Sequence, residues 1–242
     1  MAWTVLGDSA TGASHAGREQ PCQDAFRWAL LGPDGKTLLI VVADGAGSAE
    51  LAEVGARLAC DEAVRIAQST DDIDLKGWFT RVRDSLRDES IRRECPIRQL
   101  ACTLLLAVIG EQESHFAQVG DGAIVVKKGC EWEVVFWPEP GEYANATHFL
   151  TDEDFDKSLS VHTIVEPVFE ISLFSDGLQR LALDFGSKRG HAAFFDPLFS
   201  ALQNTPDSEA LRDAFRSFLE SPRVNSRTDD DKTLVIALRN SL

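Results

Sequence analysis

Three Asp-Gly pairs and one acidic cluster stand at the ends of apolar, β-rich runs of the sequence. The pairs are Asp44-Gly45, Asp121-Gly122 and Asp176-Gly177, and the cluster Asp229-Asp230-Asp231 precedes the apolar run 233–238. Carboxylates at strand ends, beside glycines that allow a sharp turn, are suited to gather oxygen ligands around divalent cations. A bound metal would also relieve the cost of unpaired charge at an interior edge. The pattern therefore indicates a metal centre.

Asp-Gly is also the commonest signal of a β-hairpin turn, so each pair has a second interpretation. A fourth pair, Asp34-Gly35, lies between two strand-like runs, and we predict that it forms only a hairpin turn. For any single pair the turn is the favoured interpretation. Four acidic strand ends in one chain shift the balance towards a metal site.

The spacing of residues can be compared with that of other phosphate-binding, phosphatase and metal-binding motifs. Gly45-x-Gly47 resembles the start of a dinucleotide loop, but the third small residue would fall at Glu50. Gly35-Lys36-Thr37 resembles the end of a P-loop, but the required earlier glycine is Leu30. No cysteine has the arginine six positions later that a cysteine-based phosphatase needs, and no His-x-x-x-His pair suggests zinc. The interpretation that remains is a pair of cations, which activate a water molecule and hold the oxygens of an in-line displacement.

Composition limits the partners. The 242-residue chain has 24 Lys and Arg against 39 Asp and Glu, a formal net charge of -15, so we expect no nucleic-acid partner. No apolar run reaches the roughly 18 residues that span a bilayer and no signal peptide is visible, so no membrane partner is expected. Five cysteines, odd in number and without a close pair, suit a reducing cytoplasm.

The elements that must position the carboxylates follow from residue periodicity. We predict strands at residues 25–31, 37–43, 103–109, 114–119, 123–127, 131–136, 168–174 and 233–238. Predicted helices are 49–67, with Ser48 as N-cap, 75–93 and 207–219. The strands from 103 to 136 read as a β-meander of local neighbours. Strand blocks separated by helices predict an α+β layered domain.

The stretch from Pro138 to about Pro167 is polar and irregular. It is long for a plain loop, so we predict a lid or small excursion beside a site.

Six motifs occur together in the order of a known family. They are Ser14-His15-Ala16-Gly17 with Pro21-Cys22-Gln23-Asp24, Val42-Ala43-Asp44-Gly45-Ala46-Gly47, Ala101-Cys102-Thr103, Val119-Gly120-Asp121-Gly122, Phe174-Ser175-Asp176-Gly177-Leu178 and Asp230-Asp231-Lys232-Thr233. Segment 142–150 also looks like the segment before the flap in bacterial members. Over nearly its whole length the chain resembles the PPM/PP2C-type metal-dependent serine/threonine phosphatases, compact bacterial branch.

The resemblance implies a single domain, residues 1–242, built as a four-layer α-β-β-α sandwich. Two central, mostly antiparallel β-sheets would be flanked by helix pairs, with the metals in a cleft at one end of the sandwich. Residues 141–167 would form a flap beside that cleft.

The resemblance also implies a set of site residues. Asp44 would bridge two Mg²⁺ or Mn²⁺ ions, the Gly45 carbonyl would hold one, and Asp176 and Asp230 would hold the other. Asp24 would act on metal-bound water or directly on a metal, and completes the catalytic set of Asp24, Asp44, Asp176 and Asp230. Asp121, with Asp176, could form a third metal site.

Two positions depart from the family's pattern. Gln23 stands where the family usually has glutamate, and Glu19 stands where it has the arginine that binds phosphate. His15 or Arg18 could contact a phosphate oxygen instead, and a surface role for Arg18 is an equal alternative.

By resemblance, we expect hydrolysis of phosphoserine and phosphothreonine through metal-activated water at a binuclear Mg/Mn centre. The two departures leave a second hypothesis open, a pseudophosphatase or phosphoprotein-binding regulatory module. A metal-dependent hydrolase of small phosphate esters or nucleotides is a third. The expected substrate is a phosphoprotein, including a partner Ser/Thr kinase or its target, and the expected state is a monomer.

Overall fold

The computed structural model describes residues 3–70, 72–137, 147–205 and 208–240. In chain order the strands are β1 (Trp3–Ala10), β2 (Ala25–Leu31), β3 (Thr37–Ala43), β4 (Leu104–Ile109), β5 (Ser114–Val119), β6 (Ala123–Lys128), β7 (Glu131–Val134), β8 (Ser160–Ile164), β9 (Glu170–Phe174), β10 (Leu183–Asp184), β11 (Arg189–Gly190) and β12 (Lys232–Arg239). The α-helices are α1 (Ala13–Ala16), α2 (Ala52–Gln68), α3 (Leu75–Arg92), α4 (Phe155–Ser158), α5 (Gln179–Ala182), α6 (Ala192–Asn204), α7 (Arg212–Leu219) and α8 (Pro222–Asn225).

Two five-stranded sheets contain ten of these strands. The first has the order β1-β12-β9-β6-β7 and the second the order β2-β3-β4-β5-β8, while β10 and β11 form a separate small pair. Every pairing in the two large sheets is antiparallel. The predicted α+β class with two antiparallel sheets is therefore confirmed.

The alternation of side chains along each strand explains the four layers. In β3, Leu39 and Val41 pack with α2 and α3, whereas Leu38, Ile40 and Val42 pack against the first sheet. Because both faces of this strand are covered, its sequence is a continuous apolar run rather than an alternating one. The outer face of the first sheet packs in turn on α6 and α7. The order of layers is helices, sheet, sheet, helices.

The predicted β-meander is wrong. β5 pairs with β4 and β8 in the second sheet, but β6 pairs with β7 and β9 in the first. The chain changes sheet between β5 and β6, at Gly120, whose φ of 107° is accessible chiefly to glycine. Periodicity identified these strands, but it carries no information about which sheet each one joins.

The start of α2 also differs from the prediction, and Ser48 is not its N-cap. The helix begins at Ala52, after Leu51, and no side chain caps it. The residues before it bond to a distant segment instead, since Leu51 N–H donates to the Gln99 carbonyl and Glu50 N–H to the Gln99 side chain. By contrast α3 begins at the predicted Leu75, where Asp74 accepts a hydrogen bond from Gly77 N–H.

Two other predicted segments are only partly described. Residues 141–146 of the expected flap lie outside the described residues, and 160–164 form β8 instead of irregular chain. Asp207 also lies outside the described residues, and the predicted helix 207–219 appears as a 3₁₀ turn, Ser208–Leu211, followed by α7. Across the described ranges, the helices are too short or too polar to cross a membrane.

Candidate metal centre

Strand pairing brings the predicted carboxylates to one end of the sandwich. Ala25 lies opposite Ala43 in the β2–β3 pair. Asp24, directly before Ala25, and Asp44, directly after Ala43, therefore lie at the same end of this strand pair. Asp176 follows β9, and Asp230 precedes its neighbour β12. Asp44 consequently interacts electrostatically with Asp24, Asp176 and Asp230. The structure thus places four predicted acidic residues in one site.

Asp44 occupies the centre of this group. Its backbone N–H donates to the Thr103 hydroxyl at 3.0 Å, and its carbonyl accepts from Thr103 N–H at 2.8 Å. Burial raises the pKa of the Asp44 carboxyl well above its usual range, and the nearby charges of Asp24 and Asp176 raise it further. The fold therefore holds the backbone of Asp44 firmly while its side chain faces other carboxylates.

Asp24 is buried between the two sheets' ends. Its Oδ2 accepts a 2.7 Å hydrogen bond from the Ser175 hydroxyl, which in turn accepts from Thr233 N–H. Burial raises the pKa of Asp24 to about 7, against the lowering effect of the Ser175 hydrogen bond. Its Oδ1 has no hydrogen-bond partner among the described residues.

Asp176 faces an open cleft of about 300 Å³. The lining residues are Asp121, Asp176, Gly177, Gln179, Arg180, Arg227, Thr228, Asp229 and Asp230. Burial raises the pKa of Asp176 to about 6, and the charge of Asp121 adds to this. The Oδ1 atom of Asp176 also has no hydrogen-bond partner within the described ranges.

Asp121 enters the cleft from the connection between β5 and β6. Its Oδ2 accepts a 2.7 Å hydrogen bond from the Thr147 hydroxyl, and its backbone carbonyl accepts from the Gln179 side chain. Asp121 is therefore connected both to the segment that follows residue 146 and to the turn after Asp176.

These carboxylates fit hard divalent cations. All the candidate side-chain ligands are oxygens, two buried oxygens lack a hydrogen-bond donor, and three carboxyl groups have raised pKa values. A cation would supply the positive charge that these groups lack. Among the described residues, no group of three or more His, Cys, Asp and Glu side chains has converged into a finished metal-binding geometry.

Gly45 lies where no side chain fits. A Cβ atom there would come within 2.8 Å of both the Ala52 Cβ and the Gln23 carbonyl oxygen. Gly45 N–H donates to that same carbonyl at 3.1 Å. The close approach fixes the Gly45 peptide beside Asp44, as a backbone metal ligand requires.

Asp231 has a different environment from its neighbour Asp230. It is almost fully buried, and its oxygens accept 2.6 Å hydrogen bonds from Gly12 N–H and Gln23 N–H. His15 Nδ1 lies 2.8 Å from the same carboxylate. Asp231 thus joins the N-terminal motif to β12, a role that sequence reasoning missed although its position directly before the apolar run 233–238 was a signal.

The two residues predicted to bind phosphate are placed differently. His15 is only 6% exposed and its Nδ1 faces Asp231, whereas Arg18 is exposed and forms no ion pair recorded among the described residues. Glu19 has a φ of 58° and points from an exposed turn. Phosphate binding by His15 or Arg18 stays a prediction.

Sequence reasoning also missed two arginines that line the cleft. Arg180 and Arg227 line it together with Asp121, Asp176 and Asp230. Arg180 lies four residues after Asp176, and Arg227 lies three residues before Asp230. Their only signal in the sequence was this closeness to the acidic motifs.

Comparisons with known proteins agree with the motif order. A family model described as protein phosphatase 2C matches residues 11–219. Serine/threonine-protein phosphatase 3 of Escherichia coli strain K12 is 36% identical over 250 residues, 98% of this chain and 99% of that protein. A serine/threonine phosphatase structure from S. agalactiae has a TM-score of 0.68 at 13% identity, over 99% of this chain and 100% of that one.

A second structure similar to this chain is the catalytic domain of the phosphatase PstP in complex with two manganese ions. Its TM-score is 0.66 at 15% identity, with 98% of this chain and 97% of that one covered. At such low identities the two structures establish only the fold. The family model and the Escherichia coli relative extend over most of the chain and confirm the predicted family. The chain belongs to the protein phosphatase 2C family.

Proposed function

We propose that the chain is a metal-dependent protein phosphatase that hydrolyses phosphoserine and phosphothreonine at a binuclear Mg/Mn centre. One observation carries the proposal: strand pairing brings Asp24 and Asp44, at adjoining ends of β2 and β3, to the same end of the sandwich as Asp176 and Asp230, at adjoining ends of β9 and β12. The named activity of the Escherichia coli relative and the two manganese ions of the PstP complex support it. Both sheets contribute residues to the site, so the whole fold is needed to assemble it.

Each site residue has a role in the proposal. Asp44 would bridge two ions, the Gly45 carbonyl would hold one, and Asp176 and Asp230 would hold the other, with Asp121 available to a third. When bound, the ions would supply an activated water and positive charge for the reacting phosphoryl group. Asp24, through its unpartnered Oδ1, would orient a water molecule in the site or accept a proton from it.

Arg180 and Arg227 are the best candidates for holding the substrate phosphate. Both line the cleft that Asp176 and Asp230 enter, and guanidinium groups can bind two phosphate oxygens at once. They would replace the arginine that the family usually has at the position of Glu19. Gln23 removes one negative charge near Asp24, which would reduce repulsion of an anionic substrate.

The proposal also includes the domain organisation, the oligomeric state and the substrate of the protein. Residues 1–242 would form one domain that acts in the cytoplasm as a monomer, with 141–167 as a flap beside the cleft. The contact of Thr147 with Asp121 supports the position of the flap. The substrate would be a phosphoprotein, including a partner Ser/Thr kinase or its target.

A phosphoprotein-binding module without turnover is the second candidate. The observation that favours it is the pair of departures, Gln23 and Glu19, beside an otherwise intact set of aspartates. Calorimetry combined with phosphopeptide assays separates the candidates: metal binding without turnover of any phosphopeptide would support the module.

Substitution of the central aspartates tests the enzymatic proposal. We expect Asp44→Ala and Asp176→Ala each to lower manganese-supported turnover of a phosphopeptide by about 10³-fold, since several kcal/mol of charge stabilisation is lost. Asp34→Ala changes the Asp-Gly pair of the β2–β3 hairpin and is the matched control, with activity unchanged. Full activity of Asp44→Ala or Asp176→Ala would contradict the assignment.

A further inference from the structure

A second groove, of about 490 Å³, continues from the metal cleft. Arg180 and Arg227 line both cavities and therefore mark the junction between them. Beyond the junction the groove passes between α6, which contributes Phe194 and Pro197, and Phe218 of α7. We call this cavity the arginine groove.

The floor of the arginine groove is apolar because α6 and α7 each use only part of their apolar surface on the sheet. Phe195 and Phe199 of α6 and Phe215 of α7 are buried in the core beneath. Phe194 and Phe218, on the neighbouring faces, are only half-buried, with ring centroids 5.9 Å apart. Apolar side chains of a partner could pack on this floor.

The walls carry positive charge without a counterion. Arg180, Arg223 and Arg227 are exposed and occur in none of the recorded ion pairs, and the groove has no acidic lining residue; both statements apply to the described part of the chain. Nine other arginines of the chain do pair with Asp or Glu. In a protein of net charge -15, three exposed arginines along one groove fit an anionic partner.

We propose that the arginine groove binds the residues beside the phosphoserine or phosphothreonine in an acidic, partly apolar segment of the substrate protein. The inference rests on the proposed phosphatase function. With the phosphate at the junction arginines, the flanking carboxylates would meet Arg223 and the flanking apolar side chains would pack on Phe194 and Phe218. The groove would therefore select among phosphorylation sites by their neighbouring residues.

Two phosphopeptides with the same phosphoserine test this selection. One has glutamates and a leucine beside the phosphoserine, and the other has lysines in place of the glutamates. We expect the wild-type protein with Mn²⁺ to favour the acidic peptide by about 10-fold in kcat/KM. Arg223→Glu, and independently Pro197→Glu, should reduce or reverse that ratio, because each places a carboxylate in the groove.

The ratio between peptides is insensitive to a general loss of folded enzyme, which would lower both rates equally. Arg87→Glu, on α3 in the opposite helix layer, is the matched control and should leave the ratio at the wild-type value. A ratio unchanged in both groove variants would overturn the groove inference alone. If the wild-type protein hydrolyses neither of the two peptides and also fails to hydrolyse p-nitrophenyl phosphate, the proposed function is overturned, and the groove inference with it.

Discussion

At the scale of residues, identical side chains differ in function because their surroundings differ. Asp24 and Asp176 each keep an oxygen without a hydrogen-bond donor and have raised pKa values, so their charge is costly until a cation is present. Asp231, beside the proposed ligand Asp230, has both oxygens bonded to backbone N–H groups. The first kind of aspartate is suited to bind metal, and the second kind to hold the fold together.

This difference predicts the effect of Asp231→Ala on stability. The substitution leaves the N–H groups of Gly12 and Gln23 buried without acceptors and removes the partner of His15, so we expect a loss of about 3 kcal/mol in the free energy of unfolding. Reduced repulsion of Asp24 offsets part of that loss. Urea denaturation of the metal-free protein measures it.

The neighbouring Asp229 supplies the control for this experiment. Its side chain is exposed, so Asp229→Ala should change the free energy of unfolding by less than about 0.5 kcal/mol. Equal stability of the two variants would show that Asp231 does not join the N-terminal motif to β12 as described.

At the scale of elements, the site depends on close contact between loops that belong to different strands. Gly12, before α1, lies directly against the backbone of Asp229 and Asp230, where an added Cβ would overlap their atoms. Gly45 makes a similar approach to Gln23. Such contacts keep the acidic strand ends together although their charges repel.

We therefore expect Gly12→Ala to displace the Asp229-Asp230 backbone. The overlap involves rigid backbone atoms, so the predicted results are a loss of about 1–3 kcal/mol in the free energy of unfolding and weaker Mn²⁺ binding. Calorimetric titration with Mn²⁺ and urea denaturation measure the two effects.

Gly47→Ala is the matched control, because among the described residues a Cβ at Gly47 would meet only His15 Nε2, at 3.9 Å. Its affinity for Mn²⁺ and its stability should stay close to those of the wild-type protein. Wild-type metal affinity in Gly12→Ala would show that the position of Asp230 does not depend on this contact.

Elements with strong local signals could be predicted from the sequence, and those set by distant contacts could not. The bounds of β2 and β3 agree with the prediction because an apolar pattern and a turn at Asp34-Gly35 define them. The start of α2 does not, because distant Gln99 accepts the hydrogen bonds that precede the helix. Likewise, the aspartates of the site stand in motifs, whereas Arg180 and Arg227 lie close to two of the motifs but belong to none, so only the fold shows that they line the cleft.

At the scale of the whole molecule, negative charge is concentrated where metal ions are proposed to bind, and unpaired arginines line the adjoining groove. The net charge of -15 would attract cations to the protein, while the arginines would guide an acidic substrate to the arginine groove. In these proposals, metal binding and substrate selection would use opposite charges on neighbouring surfaces.

The pH dependence of stability should consequently reverse when metal is added. Asp24 and Asp176 have folded-state pKa values of about 7 and about 6, above their usual 3.8. The stability they contribute to the metal-free protein is therefore fully present below about pH 4 and is lost as the pH rises through 6 and 7. In the proposed site Mn²⁺ would bind the deprotonated carboxylates of the folded state, so the stabilisation it gives should increase over the same range, reaching about 2.7 kcal/mol at 100 times Kd.

Thermal unfolding with and without Mn²⁺, between pH 5 and pH 8, measures this divergence. The difference in Tm should be small at pH 5 and should grow steadily to pH 8. In Asp176→Asn, which removes one titrating carboxyl without changing its shape, the metal-free protein should lose less stability as the pH rises, and Mn²⁺ should stabilise it less. A Tm difference independent of pH in the wild-type protein would mean that Mn²⁺ does not compete with protons for these carboxylates, and that the metal binds elsewhere.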